Sequence, residues 1–219
     1  MPEQSFWAQR WEKNELGFHE LEINAHLKKY IHALCPNAEK KVLVPLCGKT
    51  LDLLFLSTHF GEVWGIEYIE SAAIDFFREN KMEPSIEDIG CGKLYQCANI
   101  HLVVADIFAF LDETSMCFDA LYDRAALIAM EKDKRNRYAQ LLRTRLDEHA
   151  TILVVALNYP QEEMDGPPFS VAPDEIQGHF ETDKGLKLLE DQDILDPQSR
   201  WRQRGVTRMR ETVFVKEVS

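Results

Sequence analysis

No stretch of this 219-residue chain approaches the ~18–20 consecutive apolar residues that a helix needs to cross a bilayer. The opening Met1-Pro2-Glu3-Gln4-Ser5 has neither the basic nor the apolar region of a secretion signal. A cytoplasmic location with no membrane partner is therefore expected. Nor is there a Cys-x-x-Cys pair. Cys35, Cys47, Cys91, Cys97 and Cys117 are scattered and odd in number, which argues against a disulfide framework or a zinc site. No metal is expected. Basic charge is also short: 25 Lys+Arg against 37 Asp+Glu leave a formal net charge of −12, which disfavours nucleic acid as a partner. Positive charge concentrates locally at Arg200, Arg202, Arg204, Arg208 and Arg210, a run that reads as a solvated strand face or a protected sheet edge.

What the chain does have is an alternation of short apolar runs and amphipathic stretches. The first forty residues read as helical, with Leu16, Leu21, Ile23, Leu27 and Ile31 among charges. Lys41 to Leu46, Val63 to Tyr68, His101 to Ala105, Cys117 to Tyr122 and Thr151 to Leu157 have the composition of buried parallel strands. Between them lie helices over Leu51 to Phe60, over Ala72 to Asn80 with Ser71 as cap, and over Asp133 to Leu146. The stretch from Lys81 to Asn99 is irregular, with room for a short hairpin around Leu94 to Cys97. A helix near Asp174 to Phe180 precedes two late alternating strands, Leu186 to Ile194 and Val206 to Val215, joined by a loop. These elements predict one α/β domain spanning 1–219. It would be doubly wound around a mostly parallel seven-stranded sheet, with an antiparallel C-terminal hairpin and a helical N-terminal cover over 1–36.

In such a sheet ligands bind beyond the carboxyl ends of the strands, so the residues just after each strand are the functional candidates. After the first strand, Pro45-Leu46-Cys47-Gly48-Lys49 is a turn with a single glycine. It lacks the Gly-x-Gly-x-x-Gly cradle for a pyrophosphate. Gly48-Lys49-Thr50 has the ending of a P-loop, but Leu43 stands where that motif needs its first glycine. The turn suits a ligand without phosphates. Glu67 ends the second strand about twenty residues on, where a carboxylate accepts from ribose hydroxyls. Asp106 after the third strand either caps the next helix or, with the backbone of Ile107, faces an adenine. Asp123-Arg124 after the fourth strand places a permanent cation at a buried strand end. It requires an anionic or carbonyl partner, which Asp123 itself can be. Cys47 reads as a compact neighbour rather than a nucleophile, and His19 and His101 as structural histidines rather than general bases.

Taken in order, Trp7-x3-Trp11 with Phe18-His19, Val44 to Lys49, Gly65-Ile66-Glu67, Tyr122-Asp123-Arg124-Ala125-Ala126-Leu127-Ile128 and Gly166-Pro167-Pro168-Phe169 resemble the thiopurine S-methyltransferases, in particular their short bacterial form. The resemblance runs almost end to end. It implies the Rossmann-like methyltransferase fold, S-adenosylmethionine as methyl donor, S-adenosylhomocysteine as product and an aromatic or heterocyclic thiol as acceptor. It also allows selenium or tellurium species as acceptors in a detoxification role. Trp11, Leu46, Gly48, Glu67, Asp106, Ile107 and Arg124 would then hold the cofactor. Trp7, Phe18, Arg124 and Arg200 would line the acceptor side, and Arg124 with Asp123 would serve the transfer itself. Nothing demands more than a monomer. Two other readings compete: a nicotinamide-dependent oxidoreductase, which would need the missing glycine triplet, and a non-catalytic sensor that keeps the cofactor pocket.

Overall fold

The computed structural model describes residues 4–13, 20–35, 37–124, 126–180 and 185–216, with the backbone alone at 4 and 200. Two helices come first, α1 (Gln4–Glu12) and α2 (Ala25–Leu34). The apolar run at 41–45 forms β1 (Lys41–Pro45), and the helical stretch after the turn is α3 (Asp52–Ser57). There follow β2 (Glu62–Glu67), α4 (Glu70–Glu79), β3 (Ser85–Ile89), β4 (Gly92–Cys97), β5 (Ile100–Ala105) and α5 (Ile107–Glu113). The second half contains β6 (Phe118–Asp123), α6 (Ala126–Ala129), α7 (Lys132–Arg145), β7 (Leu146–Asn158), α8 (Pro173–His179), β8 (Lys187–Asp193), α9 (Arg200–Gln203) and β9 (Arg210–Lys216).

The strands form one sheet in the order β3-β4-β5-β2-β1-β6-β7-β9-β8. Five of them, β5, β2, β1, β6 and β7, run parallel. Period-two alternation sends their side chains to both faces. Val42 and Val44 join one core with Leu27, Leu53 and Phe76, while Leu43 joins the other with Phe110, Leu127 and Tyr138. Helices α2, α3 and α4 thus contribute to one layer and α5 to α8 to the other, which is the doubly wound arrangement expected.

The expected strand number is corrected from seven to nine. The irregular stretch before β5 is a full antiparallel hairpin, β3 with β4, added at the sheet edge beside β5. Its side chains escape notice because β3 buries none of them and β4 only Tyr95, so no apolar alternation marks them. Gly92 is the residue that lets β4 lie there, since a Cβ would stand 2.1 Å from the carbonyl oxygen of Val104. At the other edge β8 and β9 do pair antiparallel, but with α9 between them rather than a plain loop. Arg200 and Arg202 lie on α9 and Arg204 at its C-cap, so the arginine run is not one strand face. Ser71 is also not a cap. It falls inside α4, whose N-cap position is taken by Ile69 without a side-chain bond.

Helix α2 is part of the packed body, with Leu27, Ile31 and Leu34 buried against the sheet. Polar ties fix it to the last two strands: Tyr30 Oη donates to Glu190 at 2.7 Å, and His26 Nε2 lies 2.7 Å from Glu211. The hydrogen bonds from Lys29 and Tyr30 hold the carboxyl of Glu190 down at about 2, against the opposing effect of its burial.

Candidate active site

The chain leaves β1 for β2 on one side and later returns to β6 on the other, so the switch point lies at the carboxyl end of β1. There Leu46 (φ 49°) and Gly48 (φ 56°) both adopt left-handed backbone, which turns the chain sharply into α3. The amide of Cys47 donates to Ile66 O at 3.0 Å, tying the turn to β2. The amide of Gly48 donates to Glu67 Oε2 at 2.8 Å, while Oε1 of Glu67 accepts from Tyr68 N at 2.7 Å and Ile69 N at 2.8 Å. Burial raises the pKa of this carboxyl, and the three amides work against that rise. Three donors fill three of about four acceptor positions, so one lone pair of Oε2 is left for a further donor.

Trp11 lies over the turn. A Cβ built on Gly48 would stand 3.5 Å from its indole ring. Leu46 is half-buried against the core beneath. Cys47 is packed so that a Cβ on Gly65 would stand 2.8 Å from its Sγ, and burial together with the charge of Glu67 pushes its thiol well up. A thiol so protonated is a packing group, as expected.

At the end of β5, Asp106 Oδ1 accepts from Phe108 N at 2.7 Å and Ala109 N at 3.3 Å, so its capping role is realised. Ile107 turns its side chain into the core.

At the end of β6 the two adjacent charges part company. Asp123 is buried, its Oδ1 accepting from Ala126 N at 3.0 Å and Leu127 N at 3.3 Å, and its Oδ2 from Tyr138 Oη at 2.8 Å. It braces α6 and α7, and burial pushes its carboxyl up to about 6. Arg124 instead forms an ion pair with Glu20. Glu20 in turn lies 3.4 Å from Asn24 Nδ2, and Asn24 N donates to Asp52 Oδ1 at 2.8 Å. Tyr122 Oη closes the circuit onto Asp52 Oδ2 at 3.0 Å. Burial raises the carboxyl of Asp52, opposed by the Asn24 amide, the Tyr122 hydroxyl and the charge of Arg124.

Glu20, Asn24 and Asp52 were not among the sequence candidates. A signal for Asp52 existed: it is an acid at the start of an amphipathic helix, on the same buried side as Leu53 and Leu56. Glu20 carried none, because its partner stands across the fold.

Of the acceptor-side candidates, Trp7 lies in α1 with its ring edge-on to Phe6 at 5.2 Å. Phe18 and His19 fall outside the described residues, and so does the side chain of Arg200. His101 belongs to the opposite end of the sheet, stacked on Trp64 at 4.3 Å. The Gly166-to-Phe169 loop is tied to α6, with Phe169 N donating to Ile128 O at 2.6 Å and Tyr159 Oη to Pro168 O at 2.6 Å. Phe169 also helps line a cavity of about 480 Å³ with Lys132, Arg135, Gln161 and Glu175. No helix among the described residues is long and apolar enough to cross a membrane, and no cluster of metal-ligating side chains occurs among them.

A mixed sheet with helices on both faces and its polar groups at the central strand ends is the fold of S-adenosylmethionine-dependent methyltransferases. The solved structure of such an enzyme from Anabaena variabilis covers 99% of this chain and 95% of its own, with a TM-score of 0.62 at 16% identity. The sequence is more specific still. The family model of the thiopurine S-methyltransferases matches residues 2–218, and the chain belongs to that family. It is 42% identical to the thiopurine S-methyltransferase of Pseudomonas fluorescens over 95% of this chain and 94% of that protein. To that of a Pseudomonas aeruginosa strain it is 41% identical, over 97% of each.

Proposed function

We propose that the chain transfers the methyl group of S-adenosylmethionine to the sulfur of a small aromatic or heterocyclic thiol of the thiopurine kind. The observation that carries this reading is the clamp of Gly48 N–H on the buried Glu67 carboxylate at the switch point, one strand away from Arg124. Membership of the thiopurine S-methyltransferase family supplies the acceptor class.

The residues fit the cofactor. Glu67 keeps one acceptor position for a ribose hydroxyl, and the left-handed turn at Leu46 and Gly48 brings bare backbone to the ligand. Trp11 covers that turn with a flat apolar face suited to a cationic sulfonium. Asp106 and the first peptide group of Ile107 form the far wall for the adenine. Bound there, S-adenosylmethionine supplies an electrophilic methyl group on a positively charged sulfur.

The protein's own work is alignment and charge. Displacement at a methyl carbon is in line, so holding acceptor and donor at one angle removes most of the barrier that orientation imposes. A thiolate attacks far faster than a thiol, and the fixed guanidinium of Arg124 favours the ionised sulfur. Asp123 serves as a positioning residue: by capping α6 and holding Tyr138 it fixes the strand end from which Arg124 projects. Trp7, Phe18 and Arg200 complete the acceptor side in this reading.

The test is S-adenosylhomocysteine release by the purified protein with 6-mercaptopurine, with the S-methyl product identified by mass spectrometry. Binding of S-adenosylmethionine without methylation of 6-mercaptopurine or of simple aromatic thiols would leave a sensor and overturn the proposal.

A further inference from the structure

Across the fold from Arg124, among the described residues, Asp52 and Glu20 bring carboxylates near it, and they are held very differently. Asp52 is 1% exposed and both its oxygens are engaged, by Asn24 N and Tyr122 Oη. It cannot leave without orphaning a buried amide and a buried phenol. Glu20 has a side chain 46% exposed, and among the described residues its hold apart from Arg124 is a 3.4 Å contact with Asn24 Nδ2. It can turn to solvent at small cost. The guanidinium, with 19% of its side chain exposed, is enclosed and permanently charged. The cation is therefore fixed and its partner Glu20 is exchangeable.

We infer that Glu20 is a specificity-determining residue, its carboxylate holding the place on Arg124 that an ionised acceptor sulfur takes. This rests on the reading of Arg124 as the acceptor-side cation. An acceptor arriving as a thiolate exchanges one anion for another, and the displaced Glu20 carboxylate moves into water. A neutral acceptor leaves the ion pair in place and sits beside it without a charge partner. Glu20 thereby sets how strongly the site favours ionised over neutral acceptors. The net charge of −12 acts in the same direction on an approaching anion.

The experiment uses the full chain with Glu20→Gln, which keeps an oxygen for Asn24 but gives up the charge. Thiophenol and benzyl mercaptan are compared at a mildly alkaline pH at which the first is ionised and the second is not. The variant is expected to lower KM for thiophenol by about twofold to fivefold, the range of a partly exposed ion pair. KM for benzyl mercaptan, which arrives uncharged, should change less than KM for thiophenol. Calorimetry with benzoate, an anion that cannot be methylated, in the presence of S-adenosylhomocysteine should show tightening by the same factor.

Equal KM changes for both thiols would overturn the assignment, and so would benzoate binding that is unaltered, weaker or absent in both proteins. A fall in kcat for benzyl mercaptan would make Glu20 a proton acceptor and would overturn it as well. Failure of the wild-type protein to methylate either thiol would sink the proposed reaction instead, and the benzoate titration would still decide the role of Glu20.

Discussion

The two ends of the parallel sheet bury their polar groups in opposite ways. At the carboxyl ends of β1, β2 and β6 lie three enclosed acids, Glu67, Asp52 and Asp123, each satisfied by backbone or phenolic donors. At the amino ends of β2 and β5 the enclosed group is His101, stacked flat on Trp64, whose indole N–H donates to Glu62 at 2.8 Å. A buried neutral ring costs less than a buried carboxylate, even though Nδ1 of His101 finds no hydrogen bond among the described residues; the carboxylate costs several kcal/mol unless its lone pairs are filled. Among the described residues the enclosed acids of the parallel strands gather at the carboxyl end, the end to which the proposed methyl transfer is assigned.

Four measurements bear on that contrast, in falling order of effect. The carboxyl of Asp123 is raised by burial from the ordinary 3.8 to about 6. A raised carboxyl stabilises the fold below the unfolded value, and that contribution is lost as pH rises through the folded value. Asp123→Asn should therefore gain stability relative to wild type between about pH 4 and pH 7, by about 3 kcal/mol for a shift of about two units. Urea midpoints at the two ends of the window check this, and a constant difference would refute it. Next, Arg124→Ala should lower kcat/KM for a thiopurine by about 10²-fold while S-adenosylmethionine still binds. Steady-state kinetics beside calorimetry separate the two effects. Glu67→Gln leaves the turn amides one neutral acceptor and should weaken cofactor binding by about tenfold, read by calorimetry. His101→Phe, at the cheap end, should leave turnover unchanged. Because burial lowers the pKa of His101, its neutral form supports the fold at higher pH and that support is lost as pH falls. The variant should lose less stability on acidification, the smallest effect of the four.

How far the sequence reads correctly follows the same physics. The five parallel strands were legible because strands covered on both faces are short apolar runs, as in Lys41-Val42-Leu43-Val44. Of the edge hairpin only the Leu94-to-Cys97 half was legible, since Ser85-Ile86-Glu87-Asp88-Ile89 has no fully buried side chain to mark it as a strand. Glu67 and Arg124 could be singled out because their place after a strand is local information. Their partners could not. That Arg124 takes Glu20 while its neighbour Asp123 turns to Tyr138 is decided by strand twist and helix packing. The sequence reading left Asp123 open as the partner of Arg124, but adjacent residues at a strand end point to opposite sides.

The tie between Glu20 and Arg124 also has a bearing on how the molecule comes into being. The two partners stand 104 positions apart (124 minus 20), so their meeting closes a long loop that no local helix or turn prepares. The beginning of the chain is synthesised first, yet its acid finds the cation only after β6 has been made and laid beside β1. A nascent chain that stops short of Arg124 has Glu20 without its cation, with the 3.4 Å contact to Asn24 Nδ2 as its described tie. The pocket thus draws on the first-made and the middle parts of the polypeptide, joined by a contact of high sequence separation.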